Sequence, residues 1–338
     1  MRAFVITGPR VAGVREVPAP IAVPGEAVID VTRAGVCGTD VEFYTGDMAY
    51  LHTGRESYPV RIGHEWTGVV REVGEGVDPA WLGRRVVGDT MIGCGECSRC
   101  RSGRHHVCPD LVELGCSLGR AGALAEQLVM PVRQLLALPD IVDEAMGAMV
   151  EPGGNAMRAF RAVKVAEGER LLVLGAGTIG LLAAMFARAE GVEVHIMGRS
   201  ARSLAFARSL GFPHAWTADE LPDLAWDGVI DASNARDLPA RAVELVQPGR
   251  RVALIGLAGE PSSVDTRRVA LRDVTIVGLL GASAGLRATV DAFASGAVDP
   301  RPLIAATVPL EAAADILAGH RPDGASAGPK FQIEIGPA

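Results

Sequence analysis

One hexapeptide, Gly175-Ala176-Gly177-Thr178-Ile179-Gly180, restricts what this chain can become more than any other stretch. It follows the apolar run Leu171-Leu172-Val173-Leu174 and opens a helix-like segment, Leu181–Glu190. A second β-type run, Val192–Met197, comes next. A lone G-x-G-x-x-G carries little weight, but one set between a strand and a helix, with a second strand following, marks a dinucleotide site. Gly175 and Gly177 let the backbone turn and approach a pyrophosphate. The N-terminus of the helix that follows offers it free N–H groups, and Thr178, Ile179 and Gly180 are expected to bind the cofactor with the first two glycines. Further β-type runs at Gly228–Asp231, Arg251–Ile255 and Val274–Val277, with helical segments between, extend the pattern to a doubly wound parallel α/β sheet.

The end of the second strand bears on the cofactor. An NAD site wants Asp or Glu about 20 residues past the fingerprint to hold the ribose 2′-OH. Here the chain reads Gly198-Arg199-Ser200, with Arg202 nearby. No carboxylate is left to repel a 2′-phosphate, and a guanidinium is at hand to pair with one. NADP(H) is therefore expected over NAD(H).

The first half has a different texture. Short β-type runs such as Ala27–Val31, Thr67–Gly74 and Gly83–Val87 alternate with Pro/Gly punctuation, which suggests a small barrel-like β domain. Within it, Val36-Cys37-Gly38-Thr39-Asp40 and Gly63-His64-Glu65-Trp66 supply a thiolate, an imidazole and carboxylates that one zinc ion could collect with a position left open. Cys94, Cys97, Cys100 and Cys108 follow at Cys-x2-Cys-x2-Cys-x7-Cys spacing, enough to close a tetrahedral shell as a structural zinc lobe over about residues 93–109. Arg99, Arg101, Arg104, His105 and His106 around it read as a solvated face. Glu151, before Pro152 in the helix-like segment Ala145–Val163, is either a carboxylate favoured by a helix N-terminus or a metal ligand.

Composition narrows the class. A chain of 338 residues suggests two domains, and 49% apolar with 22% charged residues is globular. A net charge of −7 without a basic block disfavours nucleic acid and anionic membranes as partners. The Met1–Thr7 stretch reads as a strand rather than a signal peptide, and the longest apolar run, Leu171–Ala187, is broken by the fingerprint glycines. A cytoplasmic protein with reduced, metal-bound cysteines is expected, acting on a small molecule and assembling as a homodimer or homotetramer. Only Lys164 and Lys330 among the 33 basic residues are lysines, which codon bias explains.

Together these motifs resemble the zinc-dependent medium-chain dehydrogenase/reductase superfamily over essentially the full length of the chain. The resemblance implies a GroES-like β-rich catalytic domain from residues 1–148 and 285–338 around a Rossmann domain at 149–284, with the active site in the cleft. Glu151-Pro152 resembles the polyol, sugar and threonine dehydrogenase branch, where alcohol dehydrogenases related to the liver enzyme carry Cys. By resemblance, Cys37 and His64 bind a catalytic zinc, Glu65 and Glu151 are further ligands directly or through water, and Asp40 orients the ligand histidine. A second zinc occupies the four-cysteine lobe. Thr39 would take the substrate proton, with Glu42, where relatives commonly carry His, as the next station. The implied reaction interconverts a secondary alcohol of a polyol, sugar or cyclitol and its ketone. A reductase of simpler aldehydes or ketones, or a non-catalytic nucleotide sensor, are the competing readings. Tyr44, Asp47–Tyr58, Trp66 and Leu279–Ala284 are expected to wall the pocket. Cys116 has no counterpart and is expected to be a buried small residue.

Overall fold

The structure, a computed structural model, describes residues 1–336 in two compact units. The first comprises Met1–Glu151 and Leu303 onward, the second Pro152–Pro302.

In the first unit, β1 (Arg2–Gly8) and β2 (Val11–Glu16) form a hairpin, and β3 (Glu26–Val36) is the long strand around which a larger sheet assembles. Then come β4 (Glu65–Val73), β5 (Arg85–Gly88), the short pair β6 (Met91–Ile92) and β7 (Val112–Glu113), β8 (Gln127–Pro131) and β9 (Leu135–Ala137). β4 and β8 both pair antiparallel with β3, whose burial pattern leaves Ala27, Val28, Ile29, Val31 and Ala34 inside. One hydrophobic core gathers Phe4, Ile6, Ile29, Phe43, Ile62, Trp66 and Leu124, each 0–2% exposed.

The second unit contains β10 (Arg170–Leu174), β11 (Glu193–Met197), β12 (Ala215–Trp216), β13 (Trp226–Asp231), β14 (Val246–Leu254) and β15 (Thr275–Gly278). They lie parallel in the order β12-β11-β10-β13-β14-β15. The order reverses beside β10, the topological switch point at which such sheets bind ligands. Leu171–Leu174 are all 0% exposed because helices cover the central strand, and a strand buried on both faces reads as a continuous apolar run.

The chain then returns to the first unit with β16 (Ile304–Pro309) and β17 (Lys330–Glu334). β17 pairs antiparallel with β3 and parallel with β16, so the last strand sits inside the sheet that the first third of the chain begins. The division between units differs from the expected residue 285. Helix Leu286–Ala294 buries Leu286, Thr289, Val290 and Phe293 within the second unit, and Phe293 stacks on Phe186 with centroids 6.1 Å apart. That apolar face holds 285–302 with the parallel-sheet unit. Among the described residues, no helix is long and apolar enough to cross a membrane.

Truncating Phe293 to Ala should cost about 3–5 kcal/mol, the usual loss for a fully buried aromatic. A fall in the thermal unfolding midpoint with the cysteine lobe's zinc retained is the expected result.

Candidate active site

β3 ends at Val36, so Cys37 stands where extended backbone gives way to the helix Gly38–Thr45. Glu65 opens β4 directly after His64, and register pairs Glu65 with Gly35. These adjacent strand ends bring Cys37 Sγ, a His64 ring nitrogen and a Glu65 carboxylate oxygen within 4.8 Å of one another. One thiolate, one imidazole and one carboxylate, with His64 and Glu65 buried, fit a zinc ion in a site that keeps a position for substrate.

Asp40 braces both ligand-bearing segments. Its buried carboxylate accepts the Cys37 backbone N–H at 2.9 Å and the Gly63 N–H at 3.2 Å. Its Oδ1 is 3.7 Å from His64 Nδ1, too long for a hydrogen bond, so Asp40 braces the Cys37 and His64 segments through backbone N–H groups rather than through the imidazole. Cys116 Sγ lies closer to the ring, 3.5 Å from Nδ1. The cysteine is buried, as expected of it, and that burial pushes its thiol up to about 12, so it stays neutral. Its contact with the ligand histidine had no signal in the sequence.

Glu65 has a partner that sequence reasoning missed. Lys330 Nζ donates to both carboxylate oxygens, at 2.6 and 2.7 Å, and to the Val36 carbonyl at 2.9 Å. Burial, the largest single influence, would lower the Lys330 pKa, but Glu65, Cys37 and Asp40 together outweigh it and hold the ammonium above the ordinary lysine value. The available signal was composition: in a chain that otherwise uses arginine, one of two lysines heads the last strand.

Other expected residues lie outside this cluster. Glu151 is in the first turn of helix Val150–Val163 and is not among the donors within 4.8 Å. Thr39 Oγ1 is 4.0 Å from Cys37 Sγ. Glu42 is on the same helix, three residues on. Partial burial and the nearby Asp47 hold its carboxyl above the usual range. Tyr44 and Trp66, expected at the pocket wall, are buried. Helix Gly38–Thr45 buries the Asp40–Phe43–Tyr44 face, and both aromatic residues belong to the hydrophobic core.

The four cysteines form the second cluster, their sulfurs all within 4.8 Å. Backbone N–H groups of Cys94, Cys97 and Cys100 each point to a sulfur at 3.4 Å. N–H donation from Cys97 and Glu96 lowers the Cys94 thiol to about 7, so it is readily a thiolate. Four such donors fit a closed structural zinc. His105 departs from the solvated-face expectation: its Nε2 lies 2.6 Å from Asp89 Oδ2, because a carboxylate buried that deeply requires a partner. A third group, Glu193, His195 and His214, also brings its donor atoms within 4.8 Å of one another. There Trp216 Nε1 donates to His195 Nδ1 at 3.1 Å, and His195 Nε2 donates to Glu193 at 2.9 Å. Both ring nitrogens are engaged, so the arrangement is a structural hydrogen-bond chain.

In the second unit the fingerprint links β10 to the helix Thr178–Ala189. Gly175 has φ +111°, and an added Cβ would lie 2.8 Å from the Ala232 carbonyl oxygen. At Gly180 a Cβ would collide with the Gly175 carbonyl oxygen, whereas nothing lies within 4 Å of one at Gly177, leaving that backbone open to a ligand. Thr178 and Ile179 form the first turn behind it. Past β11, Gly198 leads to exposed Arg199 and Ser200, and Ser200 Oγ accepts the Ser203 N–H at 3.1 Å to cap helix Ala201–Ser209.

A dinucleotide fingerprint on a parallel sheet, and a mixed sulfur–nitrogen–oxygen cluster on a β-rich unit, together define a zinc-binding oxidoreductase. Comparison with known proteins agrees. Residues 23–140 match the alcohol dehydrogenase GroES-like domain, and residues 178–295 match the zinc-binding dehydrogenase family. The chain is 30% identical over 328 residues to an L-threonine 3-dehydrogenase of Sinorhizobium fredii, covering 93% of this chain and 94% of that one. It is 32% identical over 278 residues to the L-threonine 3-dehydrogenase of a Chelativorans species, covering 78% and 79%. Among solved structures it resembles an E. coli protein described as a short chain alcohol dehydrogenase, complexed with NADH (TM-score 0.89, 28% identity, 99% of each chain). It also resembles a zinc-binding dehydrogenase of Sinorhizobium meliloti bound to NADP (TM-score 0.87, 25% identity, 98% of each chain). The chain belongs to the zinc-dependent medium-chain dehydrogenase/reductase family, with its GroES-like and Rossmann folds, and is an oxidoreductase of the alcohol dehydrogenase type.

Replacing Asp40 by Ala should strand two buried N–H groups, at about 1–3 kcal/mol each. Faster removal of zinc by a chelator from the Cys37 site, with the four-cysteine zinc unaffected, is the expected outcome. Unchanged extraction would contradict the bracing role.

Proposed function

We propose that the enzyme interconverts a secondary alcohol of a polyol, sugar or cyclitol and the corresponding ketone, with NADP(H) as the hydride partner. The observation that carries the reaction class is the cluster of half-buried Cys37 with buried His64 and Glu65, whose donor atoms lie within 4.8 Å. Cys37, His64 and Glu65 would hold a catalytic zinc, with Glu151 as a further carboxylate, and Cys94, Cys97, Cys100 and Cys108 a structural one. Gly175, Gly177, Thr178, Ile179 and Gly180 would hold the pyrophosphate, and Gly198, Arg199 and Ser200 the phosphorylated ribose.

When bound, zinc supplies Lewis acidity to an alcohol oxygen and the nicotinamide accepts or returns the hydride. The Thr39 hydroxyl accepts the alcohol proton as it gives up its own to the next station. Glu42, at i+3 on the same helix, receives it next, and its raised pKa makes it the better acceptor.

The substrate class draws support from the similar proteins named L-threonine 3-dehydrogenase, since carbon 3 of threonine bears a secondary hydroxyl next to the carbon that carries the amino and carboxylate groups. Glu151-Pro152 supports the same branch. The NADP(H) preference rests on the absence of a carboxylate at the end of β11 and on exposed Arg199 there. Similar structures hold either NADH or NADP, so that local chemistry decides. Six free cysteines suit the reducing cytoplasm.

Initial rates with polyols, sugars, cyclitols and L-threonine test this reading. Turnover with NADP+ should exceed that with NAD+ in kcat/KM. Arg199→Ala should lower the NADP+ value by about tenfold or more, the loss expected of a charge-assisted contact, and leave NAD+ nearly unchanged. Cys37→Ala should abolish turnover. A strong NAD+ preference would overturn the cofactor assignment, and a fully active Cys37→Ala variant the metal site.

A further inference from the structure

Two glycine-led pairs meet in the first unit, Gly63-His64 and Gly115-Cys116. Gly115 has φ +70°, and an added Cβ there would lie 2.6 Å from the Gly63 carbonyl oxygen and 3.0 Å from the Gly63 nitrogen. A side chain at 115 would therefore drive the two segments apart. The turn that carries Cys116 is fixed on its own account. The Glu113 carbonyl accepts the Cys116 and Ser117 N–H groups at 3.1 and 3.0 Å, and the Gly115 N–H donates to the Arg120 carbonyl at 2.9 Å. Cys116 is 1% exposed and His64 7%, so the contact of Sγ with Nδ1 at 3.5 Å is shielded from bulk water.

A histidine that binds a cation through one ring nitrogen carries its proton on the other, and that N–H needs an acceptor. Among the described residues no hydrogen bond reaches His64 Nε2, which leaves Nε2 for the cation and Nδ1 for the proton. Asp40 would be the stronger acceptor, but each of its oxygens already accepts a backbone N–H, and Oδ1 stands 3.7 Å from the ring. Sulfur is what remains. Resting on the zinc-site reading above, we propose that Cys116 is a positioning residue for His64: its sulfur accepts the Nδ1–H, fixes the tautomer and aims Nε2 at the cation. A neutral thiol pulls on that proton less than a carboxylate does, so the imidazole stays a weaker base and the cation more electron-poor. Serine cannot take its place. A carbon–oxygen bond is shorter than a carbon–sulfur bond, so a hydroxyl at 116 falls beyond hydrogen-bond reach of Nδ1.

The test uses the full-length protein, loaded with zinc for nitrogen NMR of the histidine rings and with cobalt(II) for extraction by a chelator. The wild type should carry the His64 proton on Nδ1, slow to exchange with solvent. Cys116→Ser keeps the polarity and nearly the volume, yet it should behave as Cys116→Ala does. In both variants the Nδ1 proton should exchange faster. Cobalt should leave the Cys37/His64 site about tenfold faster or more, the usual loss when the outer partner of a metal ligand is removed, while the four-cysteine lobe keeps its ion. The second variant keeps the test sharp if the first fails to fold. A folded serine variant that matches wild type in either readout overturns the proposal, as does a wild-type His64 protonated on Nε2. A wild-type protein with no cobalt–thiolate band that Cys37→Ser removes would instead overturn the zinc-site reading itself.

Discussion

The register of three neighbouring strands, β17, β3 and β4, sets everything at the candidate active site. Cys37 follows the end of β3, His64 and Glu65 stand at the start of β4, and Lys330 begins β17. Side chains alternate across a strand, so a slip of one residue would turn Glu65 away from Gly35 and separate the donors. The register is held by the apolar face of β3, whose buried residues cannot be exchanged for the solvent-facing set without exposing the core. Hydrophobic burial thus brings Cys37 to the adjacent pair His64 and Glu65, which lie more than 25 residues further along the chain.

The two cysteine-bearing clusters show how differently such sites are built. The four-cysteine lobe is local: its donors fall within fifteen residues, and its sulfurs are tied by N–H groups of the same loop. The Cys37–His64–Glu65 site depends on long-range strand pairing and on a carboxylate, Asp40, that ties the two ligand segments through backbone N–H groups. Its third donor shares its charge with a lysine from the far end of the chain. The local lobe suits a closed structural ion, and the long-range cluster suits one that works.

Much of this was legible in the sequence because it is periodic or local. The fingerprint glycines, the continuous apolar run of β10 and the Cys-x2-Cys-x2-Cys spacing each follow from chemistry within a few residues. Helix Thr178–Ala189 begins three residues before the expected Leu181, within the fingerprint itself. What could not be read depends on distant contacts. Lys330 looks like any basic residue until β17 lies beside β3, and Cys116 is an ordinary buried thiol until it meets His64. Tyr44 and Trp66 stand close to the site in sequence, and only the packing of their helix and strand shows that both contribute to the core. The unit boundary at 302/303 reflects the Phe186–Phe293 stack, a contact between helices a hundred residues apart.

The central claim is that Cys37, His64 and Glu65 hold a zinc ion distinct from the four-cysteine one. Zinc-edge X-ray absorption on the purified protein tests it most directly. The account predicts a first shell that mixes sulfur at about 2.3 Å with nitrogen and oxygen at about 2.0–2.2 Å, because one of the two ions has imidazole and carboxylate ligands. A shell made of sulfur alone would contradict it.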